Sequence, residues 1–129
     1  MKRLSIQFML VLVLVAMASF LAEGQTGKAG VRVLPDIEYA SVDDHRLLLD
    51  LYLPEKVAGA PLLVWVHGGA WRGGSKSRMP LEALAEEGWV IASVDYRLTP
   101  VARFPAQVHD IKAALRFLRA RAADYGFDA

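Results

Sequence analysis

The sequence contains no cysteine, which excludes disulfide bonds, thiolate metal sites, a cysteine nucleophile and a lipid-anchored cysteine. It also lacks an excess of charge, because 15 basic residues stand against 14 acidic ones with no basic run, so we expect no nucleic-acid partner. A length of 129 residues allows one domain at most. The apolar content of 54% is typical of a globular chain rather than a disordered one.

Motifs for metals and nucleotides are missing as well. The three histidines are not spaced as metal ligands, and no G-x-G-x-x-G dinucleotide loop occurs. The run Gly69–Gly74 followed by Ser75 and Lys76 is close to a phosphate-binding G-x-x-x-x-G-K-[ST] loop, but its lysine is displaced by one position, which removes the geometry. We therefore predict no metal and no cofactor, and the sequence indicates no oligomeric state.

The first 24 residues have the pattern of a secretory signal peptide. Lys2 and Arg3 give a positive start, Phe8–Ala18 is an uninterrupted apolar run, and a small-x-small cleavage site ends at Gly24. The alternative is an uncleaved anchor, but a membrane span needs about 20 apolar residues and this core is shorter. We predict cleavage after Gly24 and a secreted or periplasmic protein without a stable membrane anchor.

The next segment predicts a short tether and then a hairpin. Residues 25–35 contain Gly, Lys and Pro without an apolar period, so we interpret them as a tether into a domain over residues 36–129. Ile37–Val42 and Leu47–Leu53 are two strand-like runs separated by a polar turn, and leucines alternate strictly in the second run. These runs predict an antiparallel hairpin.

The remaining pattern alternates strands with helices. Leu62–Val66 is apolar throughout, as in a parallel strand covered on both faces, and Trp89–Val94 is a second such run. A short helix over Pro80–Glu87 connects them, which predicts a right-handed crossover between parallel strands. Pro105–Tyr125 predicts a long amphipathic helix with Val108, Ile111, Leu115 and Leu118 on its apolar face and Gly126 at its end.

Together these elements predict an α/β fold: an antiparallel hairpin, then parallel strands with crossover helices. Phe127–Ala129 is interpreted as the approach to a further strand. The predicted sheet is therefore incomplete.

The strongest chemical signal is His67-Gly68-Gly69-Ala70-Trp71, directly after the first parallel strand. Two adjacent glycines at the carboxyl end of such a strand let backbone N–H groups approach a ligand closely, since neither residue has a side chain. Such a turn suits a developing oxyanion. The alternative is an ordinary strand-to-helix turn in which the glycines only supply unusual dihedral angles.

Three linked motifs carry a family resemblance: His67–Lys76, then Asp95–Pro100, then Phe104–Ala106 with Asp110. In this order and spacing they resemble the amino-terminal part of an α/β-hydrolase carboxylesterase, close to the hormone-sensitive-lipase-like esterases and the feruloyl or acetyl-xylan esterases with an H-G-G-x-W loop. The resemblance covers residues 37–129.

The resemblance implies that the N–H groups of Gly68 and Gly69 form part of an oxyanion hole. His67 would shape the loop and would not be the catalytic base, which comes last in the chain order Ser, Asp, His. Trp71 would either wall the site or pack beneath it. Asp95 and Arg97 are expected to fix a neighbouring loop. The substrate would be a small-molecule or polysaccharide-linked ester, without a cofactor.

One departure from the family concerns the nucleophile. No G-x-S-x-G segment occurs, and Ser41, Ser75, Ser77 and Ser93 all lack its flanking glycines. We therefore interpret the chain as the oxyanion-hole half of an exported serine carboxylic-ester hydrolase, inactive alone and truncated before the nucleophile. The alternative is a non-catalytic exported α/β binding domain or a pseudoenzyme.

Overall fold

The computed structural model describes residues 25–26 and 30–129. The predicted signal peptide, residues 1–24, lies outside the described residues. Six strands are described, namely β1 (Gln25–Thr26), β2 (Val31–Val42), β3 (His45–Pro54), β4 (Ala60–Val66), β5 (Val90–Val94) and β6 (Phe127–Asp128). Two α-helices accompany them, α1 (Glu82–Glu86) and α2 (Ala106–Tyr125). The strands form one mixed sheet in the order β1-β2-β3-β5-β4-β6.

The predicted hairpin is confirmed as β2 and β3, which pair antiparallel from Val42 and His45 outwards. The connection is two residues long, and both Asp43 and Asp44 have positive φ angles, 48° and 61°. Two-residue hairpin turns with positive φ at both positions match the twist of the flanking strands, and aspartate tolerates this conformation better than most residues.

The tether predicted over residues 25–35 is wrong, because this segment contains β1 and the first five residues of β2. Val31 is buried at 4% exposure and packs on the sheet. The pairing with β3 shifts register between Leu34 and Ile37, and Asp36 has a φ of 56° there. A bulge of this kind accommodates Pro35 in a strand, so the proline does not end the pairing.

The predicted parallel unit is also confirmed. β4 and β5 pair in parallel, with Leu62 opposite Val90 and Val66 opposite Val94, and α1 lies between them in the chain. Gly88, with a φ of 100°, follows the helix as its predicted stop. β5 also pairs antiparallel with β3, so it has a neighbour on each side and all five of its residues are buried.

β4 is covered on both faces as predicted, with Leu62 and Val64 packed on the α2 side and Leu63 and Trp65 on the α1 side, but its burial is less complete than expected. Residues 62–65 are half-buried and Val66 is 37% exposed. Among the described residues, β6 pairs with β4 only at Ala60 and Pro61, so the rest of this edge of β4 has no neighbouring strand. β6 begins at Phe127, where the sequence predicted only the approach to a further strand.

Helix α2 ends as predicted at Gly126, which has a φ of 81° and donates its N–H to the Ala122 carbonyl oxygen at 2.8 Å. Its buried face differs from the prediction. Val108 and Leu115 are exposed at 36% and 39%. The buried residues are Gln107, Asp110, Ala114 and Leu118. The first three each precede a predicted position by one residue, whereas Leu118 is buried as predicted. The helix is rotated in this way because two of these residues are polar and bind the preceding loop.

Apolar clusters lie on both faces of the sheet. Alternate leucines of β3 pack with Ala114 and Leu118 of α2 on one face. Ile91 packs with Ala85 of α1 on the other. One helix therefore covers each face, as expected for an α/β sheet. Within residues 25–26 and 30–129, no helix is both long enough and apolar enough to cross a membrane.

Candidate functional site

The first two motifs of the sequence meet at one edge of the sheet. β4 ends at Val66 and β5 at Val94, and parallel strands place their carboxyl ends side by side. His67 follows β4 and is buried at 5% exposure. Its ring stacks on the ring of Tyr96, which follows β5, with centroids 4.4 Å apart and planes inclined by 13°.

The imidazole of His67 is engaged within the loop. Its Nδ1 lies 2.8 Å from the Gly68 carbonyl oxygen, and because a carbonyl oxygen can only accept, Nδ1 carries the proton of this bond. Its Nε2 lies 3.6 Å from Oδ1 of Asp95. The backbone carbonyl oxygen of His67 accepts a hydrogen bond from the Tyr96 hydroxyl at 2.9 Å. This arrangement agrees with a loop-shaping role.

The turn after His67 requires glycine at two positions. Gly69 has a φ of 119°, and its carbonyl oxygen accepts from the N–H groups of Arg72 at 2.9 Å and Gly73 at 3.2 Å. A Cβ on Gly69 would collide with the Gly73 carbonyl group, and a Cβ on Gly74 would collide with Nδ1 of His67 and the Gly68 oxygen. The loop therefore folds tightly back onto the imidazole.

The N–H groups of Gly68 and Gly69 have no acceptor in the part of the chain that the structure describes. Both residues are exposed. Two neighbouring backbone donors are thus free at the carboxyl end of a strand, where the sequence predicted them. Such donors can bind an anionic oxygen.

Trp71 does not pack in the core. It is 44% exposed, and its ring stacks on that of Phe104 at 5.5 Å with planes inclined by 17°. Its carbonyl oxygen accepts from the N–H of Thr99 at 2.8 Å and from the Thr99 hydroxyl at 2.9 Å. The glycine loop is therefore bound to the loop that follows β5.

The second and third motifs are joined by a buried ion pair. Arg97 donates from Nε to Oδ2 of Asp110 at 2.9 Å and from Nη2 to Oδ1 at 2.7 Å, and its backbone N–H donates to Oδ2 at 3.0 Å. Asp110 is 2% exposed, and its hydrogen bond raises the pKa of Arg97 above the usual value. Gln107 donates to the carbonyl oxygens of Arg97 and Ala102, both at 3.0 Å. These bonds fix the loop between β5 and α2, as expected for Arg97. Asp95 does not take part in them, because its carboxylate contacts Lys76 and His67 instead.

Sequence reasoning missed Lys76, which ties the glycine loop to three strands. Its Nζ donates to Oδ1 of Asp50 on β3 at 2.6 Å and lies 2.8 Å from Oδ1 of Asp36 on β2. Its carbonyl oxygen accepts from the Ser93 hydroxyl of β5 at 2.6 Å, and its N–H donates to Oδ1 of Asp95 at 2.5 Å. The available signal was Asp50, a carboxylate within an otherwise leucine-rich buried strand, since such a charge requires a partner.

The electrostatics of this lysine follow from its partners. Desolvation acts to lower the pKa of Lys76, but the hydrogen bonds to Asp36 and Asp50 outweigh it, and the pKa is raised above its usual value. The hydrogen bond between Lys76 and Asp36 also lowers the pKa of the Asp36 carboxyl group below its usual value. Both groups are therefore charged at neutral pH.

An open cleft of about 310 Å³ lies beside the loop. His67, Gly74, Asp95 and Tyr96 line it on one side, and residues 45–48 of β3 line it on the other. Gly68 and Gly69 are not part of its lining.

The described residues contain neither a catalytic triad nor a metal centre. No serine hydroxyl among them bonds to a histidine, and His45 and His109 are both exposed and lie apart from the loop in the chain. No group of three or more potential metal-ligating side chains occurs in this part of the chain.

The mixed sheet, its parallel strands joined through a helix and the glycine turn after β4 are the features of part of an α/β-hydrolase fold. Residues 49–129 match the BD-FAE family, and the chain belongs to this family. It is 40% identical over 93 residues to esterase LipC of Mycobacterium tuberculosis, a match that covers 67% of this chain and 23% of LipC.

Solved structures support the same assignment. Esterase B from Lactobacillus rhamnosis matches with a TM-score of 0.70 and 29% identity, over 95% of this chain and 42% of that one. Esterase 2 of Thermogutta terrifontis, phosphorylated by paraoxon, matches with a TM-score of 0.67 and 29% identity, over 79% of this chain and 41% of that one. The chain thus spans less than half the length of each of these relatives.

Proposed function

We propose that this chain supplies the oxyanion-hole half of the active site of an exported serine carboxylic-ester hydrolase, and that the chain alone is inactive. The observation that carries the proposal is the pair of exposed N–H groups of Gly68 and Gly69, which have no acceptor among the described residues. The esterase relatives support the reaction class. Export rests on the leader sequence.

The chemistry requires donors where negative charge develops. When a serine hydroxyl attacks an ester carbonyl carbon, an electron pair moves to the carbonyl oxygen, which becomes an oxyanion. Donors that meet this oxyanion at about 2.7–3.1 Å stabilise the transition state more than the ground state and therefore raise kcat. Gly68 and Gly69 would provide such donors, together with the N–H that follows the nucleophile.

His67 would set the direction of the Gly69 donor. The peptide bond between Gly68 and Gly69 is trans, so its C=O and N–H groups point in opposite directions. The imidazole holds the carbonyl oxygen of this peptide at 2.8 Å, which turns the N–H of Gly69 away from the ring. In this role His67 positions a donor and takes no proton from the nucleophile.

The substrate in this proposal is a small-molecule or polysaccharide-linked ester. The nucleophile, acid and base belong to sequence outside residues 1–129, and no cofactor takes part. The alternative function, a non-catalytic exported α/β binding domain or pseudoenzyme, is favoured by one observation, the absence of any G-x-S-x-G segment in the chain.

Substitution of Gly69 in the complete polypeptide that contains this chain tests the proposal. In G69A the new Cβ collides with the Gly73 carbonyl group, so the turn must change and the donors move. We expect kcat for a short-chain nitrophenyl ester to fall by about 100- to 1000-fold, the loss typical of one oxyanion donor. Gly59→Ala is the matched control, because Gly59 also has a positive φ but has open space at Cβ. An unchanged kcat in folded G69A contradicts the proposal.

A further inference from the structure

The hydroxyl of Tyr96 contacts the backbone beside the first of the two free donors. It donates to the carbonyl oxygen of His67 at 2.9 Å, while its ring stacks on the His67 ring. Tyr96 is 5% exposed. The carbonyl that it holds belongs to the peptide whose N–H is that of Gly68.

The geometry of this peptide fixes where the donor points. The bond between His67 and Gly68 is trans, so the N–H of Gly68 is directed opposite to the carbonyl group bound by Tyr96. The N–H has no acceptor among the described residues that could orient it from its own side. We propose that Tyr96 is a positioning residue, which orients the Gly68 N–H towards the oxyanion through the His67 carbonyl. This inference rests on the proposed function.

Tyr96 is itself held firmly enough for this role. On one side the N–H of Asp95 donates to the Leu48 carbonyl oxygen at 3.0 Å, and on the other the N–H of Arg97 donates to Oδ2 of Asp110 at 3.0 Å. Burial raises the pKa of the Tyr96 hydroxyl, so the group remains a hydrogen-bond donor at alkaline pH. The backbone on both sides of Tyr96 is therefore held in place, and this fixes the position of the hydroxyl.

The substitution Tyr96→Phe removes this hydroxyl and keeps the ring that stacks on His67. Tyr52→Phe is the control, because Tyr52 is a half-buried tyrosine on β3 that packs on the other side of the sheet from α2, and its hydroxyl forms no hydrogen bond with a described residue. The control removes a tyrosine hydroxyl without removing a bond to the glycine turn or to the backbone of Tyr96.

In the complete polypeptide we expect Y96F to lower kcat for a nitrophenyl ester about 10-fold with KM changed less than about 2-fold, a fraction of the loss for a whole donor. The Ki of a trifluoromethyl ketone, whose serine adduct carries an oxyanion, should rise by the same factor. Y52F should change neither value. Equal effects in the two variants, or a change in KM instead of kcat, would overturn the inference.

A second readout does not depend on activity. Nitrogen-15 relaxation should show the Gly68 order parameter falling from about 0.85 to below about 0.6 in Y96F, with β5 unchanged and with no change at Gly68 in Y52F. If the wild-type polypeptide has no esterase activity, the proposed function is wrong, and this measurement alone decides the role of Tyr96. An unchanged Gly68 order parameter overturns it.

Discussion

Replacement of Lys76 by methionine tests how the glycine loop is held on the sheet. The ammonium group bonds Asp50 at 2.6 Å and Asp36 at 2.8 Å, and the side chains of Lys76 and Asp50 are only 11% and 8% exposed. K76M removes the positive charge and leaves the Asp50 carboxylate buried. The N–H of Asp36 still donates to Asp50 at 2.8 Å, but this bond does not compensate a full charge.

The size of the effect follows from the burial of the pair. Removing one partner of a buried ion pair costs about 3–5 kcal/mol, because the other charge is left uncompensated. Asp36 adds little, since its side chain is 66% exposed and water screens its attraction to the lysine. Against a net stability of about 5–15 kcal/mol, the loss in K76M is large.

Urea unfolding of the complete polypeptide measures this loss. Lys112→Met is the matched control, because Lys112 is exposed on α2 and forms no ion pair with another described residue; its change should stay within about 0.5 kcal/mol. The double variant D50N/K76M removes both charges and should recover most of the stability. If K76M behaves like K112M, or if the double variant is no better than K76M, the reasoning is refuted.

The remaining predictions concern pH, association and processing. The pKa of Lys76 is raised from 10.5, so the stability that its ion pairs contribute is present below this value and is lost as the pH rises through the raised pKa. The difference in free energy of unfolding between wild type and K76M should therefore stay constant from about pH 7 to pH 9 and shrink at higher pH. A difference that shrinks within this window in urea unfolding contradicts the assignment. The isolated 129-residue chain should aggregate, because most of one edge of β4 has no neighbouring strand among the described residues, and Val108 and Leu115 are exposed. A monomer in sedimentation with a sharp thermal transition would refute this. Mature protein recovered outside the cytoplasm should lack residues 1–24 by intact mass, whereas a retained Met1 in the membrane fraction would favour the anchor.

Local patterns were sufficient to predict most elements of the fold. The alternating leucines predicted β3, the continuous apolar runs predicted β4 and β5, and glycines marked the ends of both helices. These features depend on neighbours two to four residues apart, which the sequence displays directly. The prediction of the tether failed because a bulge carries β2 through Pro35, and bulges depend on the partner strand.

The candidate site was predictable only in part, for the same reason. His67, Gly68 and Gly69 are adjacent in the chain, so one motif identified them. The partners that hold them come from distant positions, as with Tyr96, 29 residues after His67, and Asp50, 26 residues before Lys76. The buried face of α2 was misjudged because Asp110 was not recognised as the buried partner of Arg97. Such contacts are visible only once the sheet brings the strands together.

A crystal structure of the complete polypeptide after reaction with a phosphonate ester would test the central claim most directly. The phosphonyl oxygen occupies the position of the oxyanion in such an adduct. We predict an adduct on a serine outside this chain, with its oxygen about 2.7–3.1 Å from the backbone nitrogens of Gly68 and Gly69. An adduct whose oxygen contacts neither glycine, or a complete polypeptide that forms no adduct, would contradict the account.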